Sequence, residues 1–223
     1  MICWSCEKRV EPAMFCPSCK ALLPPEGPRD HFQALGVPRG FSLDRAAAEA
    51  RWKALSRDVH PDRHARSEPA ARQAAMAWTI RLNDAWHTLR DDMRRAEYLL
   101  TLAGLQVSTA GQQGAKQDAE TVRLRVPEGL LVEMLEKREA LADARLADDD
   151  ATVAALGAEF RARHQRELAR MGAALDRGDD LELAAQAFAA LKYYDRFLDE
   201  VTAHEDARAL RMGREGPSGG RHA

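Results

Sequence analysis

No cysteine occurs beyond residue 19 of this 223-residue chain. The 4 cysteines cannot staple the remaining residues, which must fold on their own apolar cores. Long hydrophobic runs are missing too: nothing approaches the ~18 apolar residues that would cross a bilayer. The opening "MICWSCEKRV" has neither the apolar centre of a signal peptide nor the Arg/Ser-rich character of a transit peptide. These absences lead to the expectation of a soluble, cytoplasmic protein with no membrane partner. An excess of one charge is also lacking, since 33 Lys and Arg face 35 Asp and Glu for a formal net charge of −2. No global field pulls the chain onto nucleic acid or an anionic surface, and any electrostatic recognition must be local.

What is present begins with "CWSCEKRVEPAMFCPSC", two C-x-x-C pairs, Cys3/Cys6 and Cys16/Cys19, with nine residues between them. Two thiolates at that spacing grip one ion through a tight turn, and two such turns complete a tetrahedral sulfur shell. Zinc is the expected occupant, and rubredoxin-like iron is the alternative that the same ligands accept. Disulfides are disfavoured in a reducing compartment, and no βαβ pattern supports a thioredoxin-type pair. Four thiolates leave no open coordination position, so the metal is expected to be structural and its binding to be one event with folding.

Composition then divides the chain. "LLPPEGPRD" carries three prolines and a glycine and reads as a short, stiff linker that ends a zinc-ribbon-like module of residues 1–27 and separates it from the helices. Residues 28–104 form a helical unit. Asp30 caps a short helix that Gly36 and Pro38 stop. Ala48, Trp52, Leu55 and Val59 recur on one face of a helix over 42–59. Pro69 opens a second long helix with Ala75, Trp78, Leu82, Ala85, Trp86 and Leu89 on one side, and the three tryptophans are expected in the core. A shorter helix follows from Asp91 to Gly104.

Residues 105–127 read as a linker rich in Gly, Gln, Ser and Thr, with a short extended piece at "VRLRVP". Residues 128–205 hold three helical patterns with short connections, which predicts a three-helix bundle, and 206–223 are expected to be disordered. The first pattern runs through Leu131, Leu135 or Met134, Arg138, Leu141 and Arg145; the second carries Phe160, His164, Leu168 and Met171. The third carries Ala184, Phe188, Leu191, Tyr194, Leu198 and Val201. His164 is expected as a packed, hydrogen-bonded core histidine.

Between the two long helices lies "SRDVHPDRHAR". Pro61 ends the preceding helix and biases His60 away from helical angles, which leaves His60, Pro61 and Asp62 at an exposed tip. No further ligand or nucleophile accompanies them, so a metal or catalytic reading is weak. As a contact loop each residue has a use. Pro61 stiffens the tip, while His60 and Asp62 offer a donor and a charged acceptor.

A short helix, a long helix, H-P-D and a second long helix resemble a J-domain. With "LNDAWHTLRDDMRRAEYLL", a linker and a bundle following, residues 30 to about 205 resemble the HscB-type co-chaperones of iron–sulfur cluster assembly. The cysteine segment is similar to the zinc module of some members. The resemblance implies an all-α fold: a J-domain helical hairpin, a C-terminal three-helix bundle and the small N-terminal zinc module. It implies that the chain catalyses nothing itself. It also implies that His60, Pro61 and Asp62, with Arg51, Lys53 and Arg57 on the helix before them, engage the ATPase domain of a DnaK/HscA-type chaperone. Asp58 departs from the pattern, standing where many J-domains carry Lys.

In the bundle, "LLVEMLEKREALADARL" is similar to the helix that binds the IscU-type scaffold. That likeness assigns Leu131, Val132, Leu135, Glu136, Glu139 and Asp143 to the client patch, with Tyr193 where the family often has Phe. The bland alternative is that the leucines face the bundle core and the acids face water. Two other functions stay in view: a J-domain protein serving another client, and a zinc-ribbon regulator of nucleic acid. The ribbon's Lys8, Arg9 and Lys20 are offset by Glu7 and Glu11, which disfavours the second.

Overall fold

The structure is a computed structural model that describes residues 1–26, 30–105, 126 and 129–214, with side chains through Arg211. The expected boundary near residue 27, nearly all of the expected linker with its "VRLRVP" piece, and residues 215–223 lie outside the described residues. The regular structure is helical: α1 (His31–Leu35), α2 (Arg45–Asp58), α3 (Pro69–Leu89), α4 (Asp92–Leu102), α5 (Leu130–Leu146), α6 (Asp150–Arg177) and α7 (Leu181–Arg214), with one 3-10 turn at Pro61–His64. The fold is all-α, as expected. Two compact units divide it, Met1–Leu99 and Leu100–Ala223, so that α4 runs across the boundary.

In the first unit, α1 and α2 pack on α3. Asp30 starts α1 by accepting the Gln33 amide at 2.7 Å, and Gly36 ends it at φ 67°, a left-handed angle that glycine takes without a Cβ clash. Phe32, Leu35, Val59, Trp78, Leu82 and Leu89 form the buried interior. Trp52 stays half-buried, stacked on Trp86 at 5.6 Å and donating its indole N–H to Asn83 at 3.2 Å. Arg95 is a buried cation with its donors placed. It reaches the Phe41 carbonyl at 2.8 Å, the Leu89 carbonyl at 2.6 Å and Asp92 at 2.5 Å, which removes the penalty of an unpaired buried charge.

The N-terminal segment falls in the same compact unit as α1, α2 and α3 and packs on α3. Its two antiparallel bridges, Ile2 with Arg9 and Phe15 with Leu22, surround a small core of Cys3, Val10, Cys16 and Leu23. Two indoles clasp adjacent carbonyls at its end. Trp4 donates to Leu22 at 2.8 Å, and Trp78 on α3 donates to Leu23 at 2.7 Å in a buried bond. Leu22 and Leu23, read as the start of the linker, are instead the anchor. A buried indole N–H needs an acceptor, and the carbonyl of Leu23, one residue before the prolines, supplies it.

The second unit is the bundle of α5, α6 and α7, in which α6 and α7 share the longest interface. Phe160 sits at its centre, 4.1 Å from the Phe197 ring and edge-on to Tyr194 at 5.5 Å. A Cβ at Gly157 would lie 2.9 Å from a Val201 methyl, so glycine is what lets α6 and α7 approach there. His164 is half-buried with its ring 2.9 Å from Asp195, as a satisfied core histidine should be. α7 continues to Arg214, so residues 206–214, expected as part of a disordered tail, are helical. The reason is visible at Asp150, the first residue of α6, which draws both His204 and Arg208 of α7 toward it.

Candidate metal and partner-binding sites

Each C-x-x-C pair folds into the same turn. The Glu7 amide donates to the Cys3 carbonyl and the Lys20 amide to the Cys16 carbonyl, both at 2.9 Å, and the chain returns through Cys3 to Lys8 at 3.0 Å and Cys16 to Ala21 at 2.8 Å. Glu7 and Lys20 take positive φ, 60° and 63°, a cost of roughly 1 kcal/mol or more each that a turn tolerates only when something holds it. The repeated turns bring all four sulfurs within 4.8 Å of one another.

Cys3 and Cys19 are 3.6 Å apart and Cys6 and Cys16 3.8 Å, and the cysteines are free thiols. A tetrahedral ion with metal–sulfur bonds of about 2.3 Å needs sulfur edges of about 3.8 Å, so the donor set fits a single metal ion. The sulfurs differ in acidity. The Ala21 amide, aided by the neighbouring sulfurs, lowers the Cys19 thiol to about 6. At Cys6 the Lys8 amide acts downward, but burial and the other three sulfurs outweigh it and push the thiol up to about 11. Crowded thiolates repel one another until a cation sits among them.

Just beyond the C-terminal end of α2, His60 leaves the helical region at φ −56° and ψ 129°, and the chain turns once through Pro61–His64. His60 Nδ1 accepts the Asp62 amide at 3.3 Å and lies 3.6 Å from the Asp62 carboxylate, whose side chain is 91% exposed. Arg63 braces the turn from below, donating to the Arg57 carbonyl at 3.3 Å and approaching Asp58 at 3.5 Å. His64 meets the Asp58 carbonyl at 3.1 Å. Asp58, the residue that departs from the J-domain pattern, is thus partly spent on Arg63. Ser56, Arg57, His60 and Arg63 border a shallow hollow beside the tip.

The three basic residues of α2 are not equivalent. Arg51 donates to the Leu35 carbonyl at 3.3 Å, Lys53 pairs with Glu49 at 2.7 Å, and Arg57 is exposed with no ion pair among the described residues.

On α5, the residues turned inward are Leu130, Met134, Leu141 and Ala144. The expected line through Leu131 and Leu135 is therefore displaced by about one residue, or roughly 100° around the helix. Leu131, Val132 and Leu135 are 54%, 62% and 61% exposed, and Glu136, Glu139 and Asp143 are exposed beside them. Tyr193 is half-buried on α7, which packs against α5. The bland reading of these leucines, that they face the bundle core, fails. Sequence reasoning missed the clasp of Trp4 and Trp78, for which the signal was a tryptophan inside the cysteine turn, and the brace supplied by Arg63, which had none.

Against known proteins, the chain is 36% identical over 173 residues to the co-chaperone protein HscB homolog of Burkholderia multivorans, covering 78% of this chain and 92% of that one. The chain belongs to the HscB co-chaperone family. The homolog of Burkholderia mallei matches to the same extent. Residues 126–202 match the family described as the HSCB C-terminal oligomerisation domain. Among solved structures, the human co-chaperone protein HscB aligns with a TM-score of 0.71 at 26% identity, covering 92% of this chain and 98% of that one. Chaperone HscB from Vibrio cholerae aligns at 0.63 with 29% identity, covering 80% and 99%. Its HscB fold accounts for the tip and the bundle as parts of one architecture.

Proposed function

We propose that this HscB-family chain stimulates the ATPase of a DnaK/HscA-type chaperone through its tip and carries an IscU-type iron–sulfur scaffold to it on α5. In this reading His60, Pro61 and Asp62 touch the chaperone's ATPase domain, and Arg51, Lys53 and Arg57 bring an acidic surface toward them. Leu131, Val132, Leu135, Glu136, Glu139, Asp143 and Tyr193 receive the scaffold. The chain performs no bond chemistry of its own. The observation that carries the reading is the exposure of Leu131, Val132 and Leu135 on a bundle helix whose inner face is already filled by Leu130, Met134 and Leu141. Large apolar side chains grouped in water mark a partner's contact area.

The four thiolates would hold zinc as a closed structural site that supplies folding energy rather than catalysis. Such ligands stay reduced in the cytoplasm, where the reading places the protein.

The experiment is a steady-state ATPase assay with purified chaperone, chain and scaffold. The expected result is stimulation by the chain alone and a further increase when scaffold is added. An unchanged rate with the chain would remove the chaperone half. An unchanged rate on adding scaffold, together with no calorimetric heat, would leave a J-domain protein serving another client.

A further inference from the structure

Leu146, the last residue of α5, is 85% exposed, more than any other large apolar side chain among the described residues. It is not a fraying end. The Ala147 amide closes on the Asp143 carbonyl at 3.0 Å and the Asp149 amide returns to Ala144 at 2.9 Å, so the turn holds Leu146 in register with the helix. Eleven residues separate it from Leu135, which at 3.6 residues per turn brings it to within about 20° of Leu135 around the axis and about 16 Å along it. Ala142 falls in the same strip and is exposed. Leu131, Leu135, Ala142 and Leu146 thus form one apolar line along the whole helix.

The acids flank this line on one side. Glu136, Glu139 and Asp143 make no ion pair among the described residues, whereas three acids at the packed faces of the bundle do: Glu133 and Glu159 with Arg163, Glu159 also with Lys137, and Glu200 with Arg138. Free carboxylates beside an apolar line suit a partner segment with basic residues between two apolar ones. We propose that the client-binding face has a second anchor at Leu146, so that the scaffold is gripped at two apolar points about 16 Å apart with basic residues over the acids between them. This rests on the scaffold-binding reading above. The segment it selects is about 11 residues long if helical, or about 5 if extended.

The test is isothermal calorimetry of the full chain against the purified IscU-type scaffold, comparing Leu146→Ala and Leu146→Gln with the double variant Leu131→Ala/Leu135→Ala. So exposed a residue should leave folding untouched, which circular dichroism checks. The expected result is a roughly fivefold to tenfold weaker affinity for either Leu146 variant, with Leu146→Met close to the parent. If the double variant loses affinity while both Leu146 variants stay within about twofold of the parent, the second anchor is overturned and the scaffold reading survives. Should none of them alter affinity, the reading fails and takes the anchor with it. A Leu146 variant that changes the mass of the free chain in light scattering but not scaffold affinity would assign the residue to a contact between copies, and that too overturns the proposal.

Discussion

Asp62, placed at the chaperone contact in the proposed reading, does little for its own fold. Its carboxylate is almost wholly in water, and its nearest partner is the His60 ring two residues away. Replacing it by Asn removes charge from a place where nothing in the first unit depends on it. His60→Gln and Asp62→Asn should therefore each abolish chaperone stimulation while moving stability by less than about 0.5 kcal/mol. ATPase rates and thermal melts on the same preparations check this. A normal rate would remove the tip from the chaperone interface, and a large drop in melting temperature would make His60 structural. The basic residues of α2 should separate in the same experiment. Arg51 is tied to the Leu35 carbonyl, so its loss costs some stability, whereas Arg57 has no such tie and should affect association alone.

At the scale of elements, the cysteine module and α3 stand or fall together. Trp78 is buried and bonded to Leu23, itself buried in the module core. Trp78→Phe keeps an aromatic ring but orphans the Leu23 carbonyl, at a cost of about 1–3 kcal/mol. Chelation of the metal should act on the same joint from the other side, lowering the melting temperature of the helices as well as unfolding the module. Differential scanning calorimetry of holo and chelated protein decides it: a first-unit helical transition at an unchanged temperature would mean that the module is an independent ornament.

The bundle gives a pH signature. The Lys137 hydrogen bond, together with the Arg163 charge, holds the Glu159 carboxyl below the usual range. A depressed carboxyl adds stability that is present above its unfolded value of about 4.3 and is lost as pH falls through the folded one. Acid unfolding monitored on Glu159→Gln should accordingly show a shallower loss across that window than the parent, and an identical slope would mean that the network is too hydrated to matter.

The cap at Asp30 and the stop at Gly36 are legible in the sequence, because each is a local hydrogen-bonding or backbone rule. The cysteine cluster and the tip are legible for the same reason. The inner face of α5 is not, since "LLVEML" offers two apolar lines one residue apart and only α6 and α7 choose between them. The anchoring by Leu22 and Leu23 and the last turns of α7 escape too. Both depend on distant partners, Trp78 and Asp150, that no local window contains.

On the scale of the whole molecule, the two candidate partner sites fall in different compact units, the tip in Met1–Leu99 and the α5 face in Leu100–Ala223. Each unit has its own core, around Trp78 and Leu82 in one and around Phe160 and Phe197 in the other. Both candidate sites lie on the surface of a unit with its own core, so the two binding free energies should be separable. Asp62→Asn should bind scaffold with the parent's affinity yet fail to stimulate the chaperone. Leu131→Ala/Leu135→Ala should stimulate the chaperone at the parent's basal level yet lose the extra stimulation that scaffold brings, with scaffold affinity down by a few kcal/mol. Combining the two sets should give the sum of the losses and no more. A double-mutant cycle over calorimetric affinity and ATPase rate measures this directly. A coupling energy beyond about 0.5 kcal/mol would mean that the tip and the α5 face act as one site, and that scaffold binding reaches the chaperone through the chain's own conformation rather than by delivery alone.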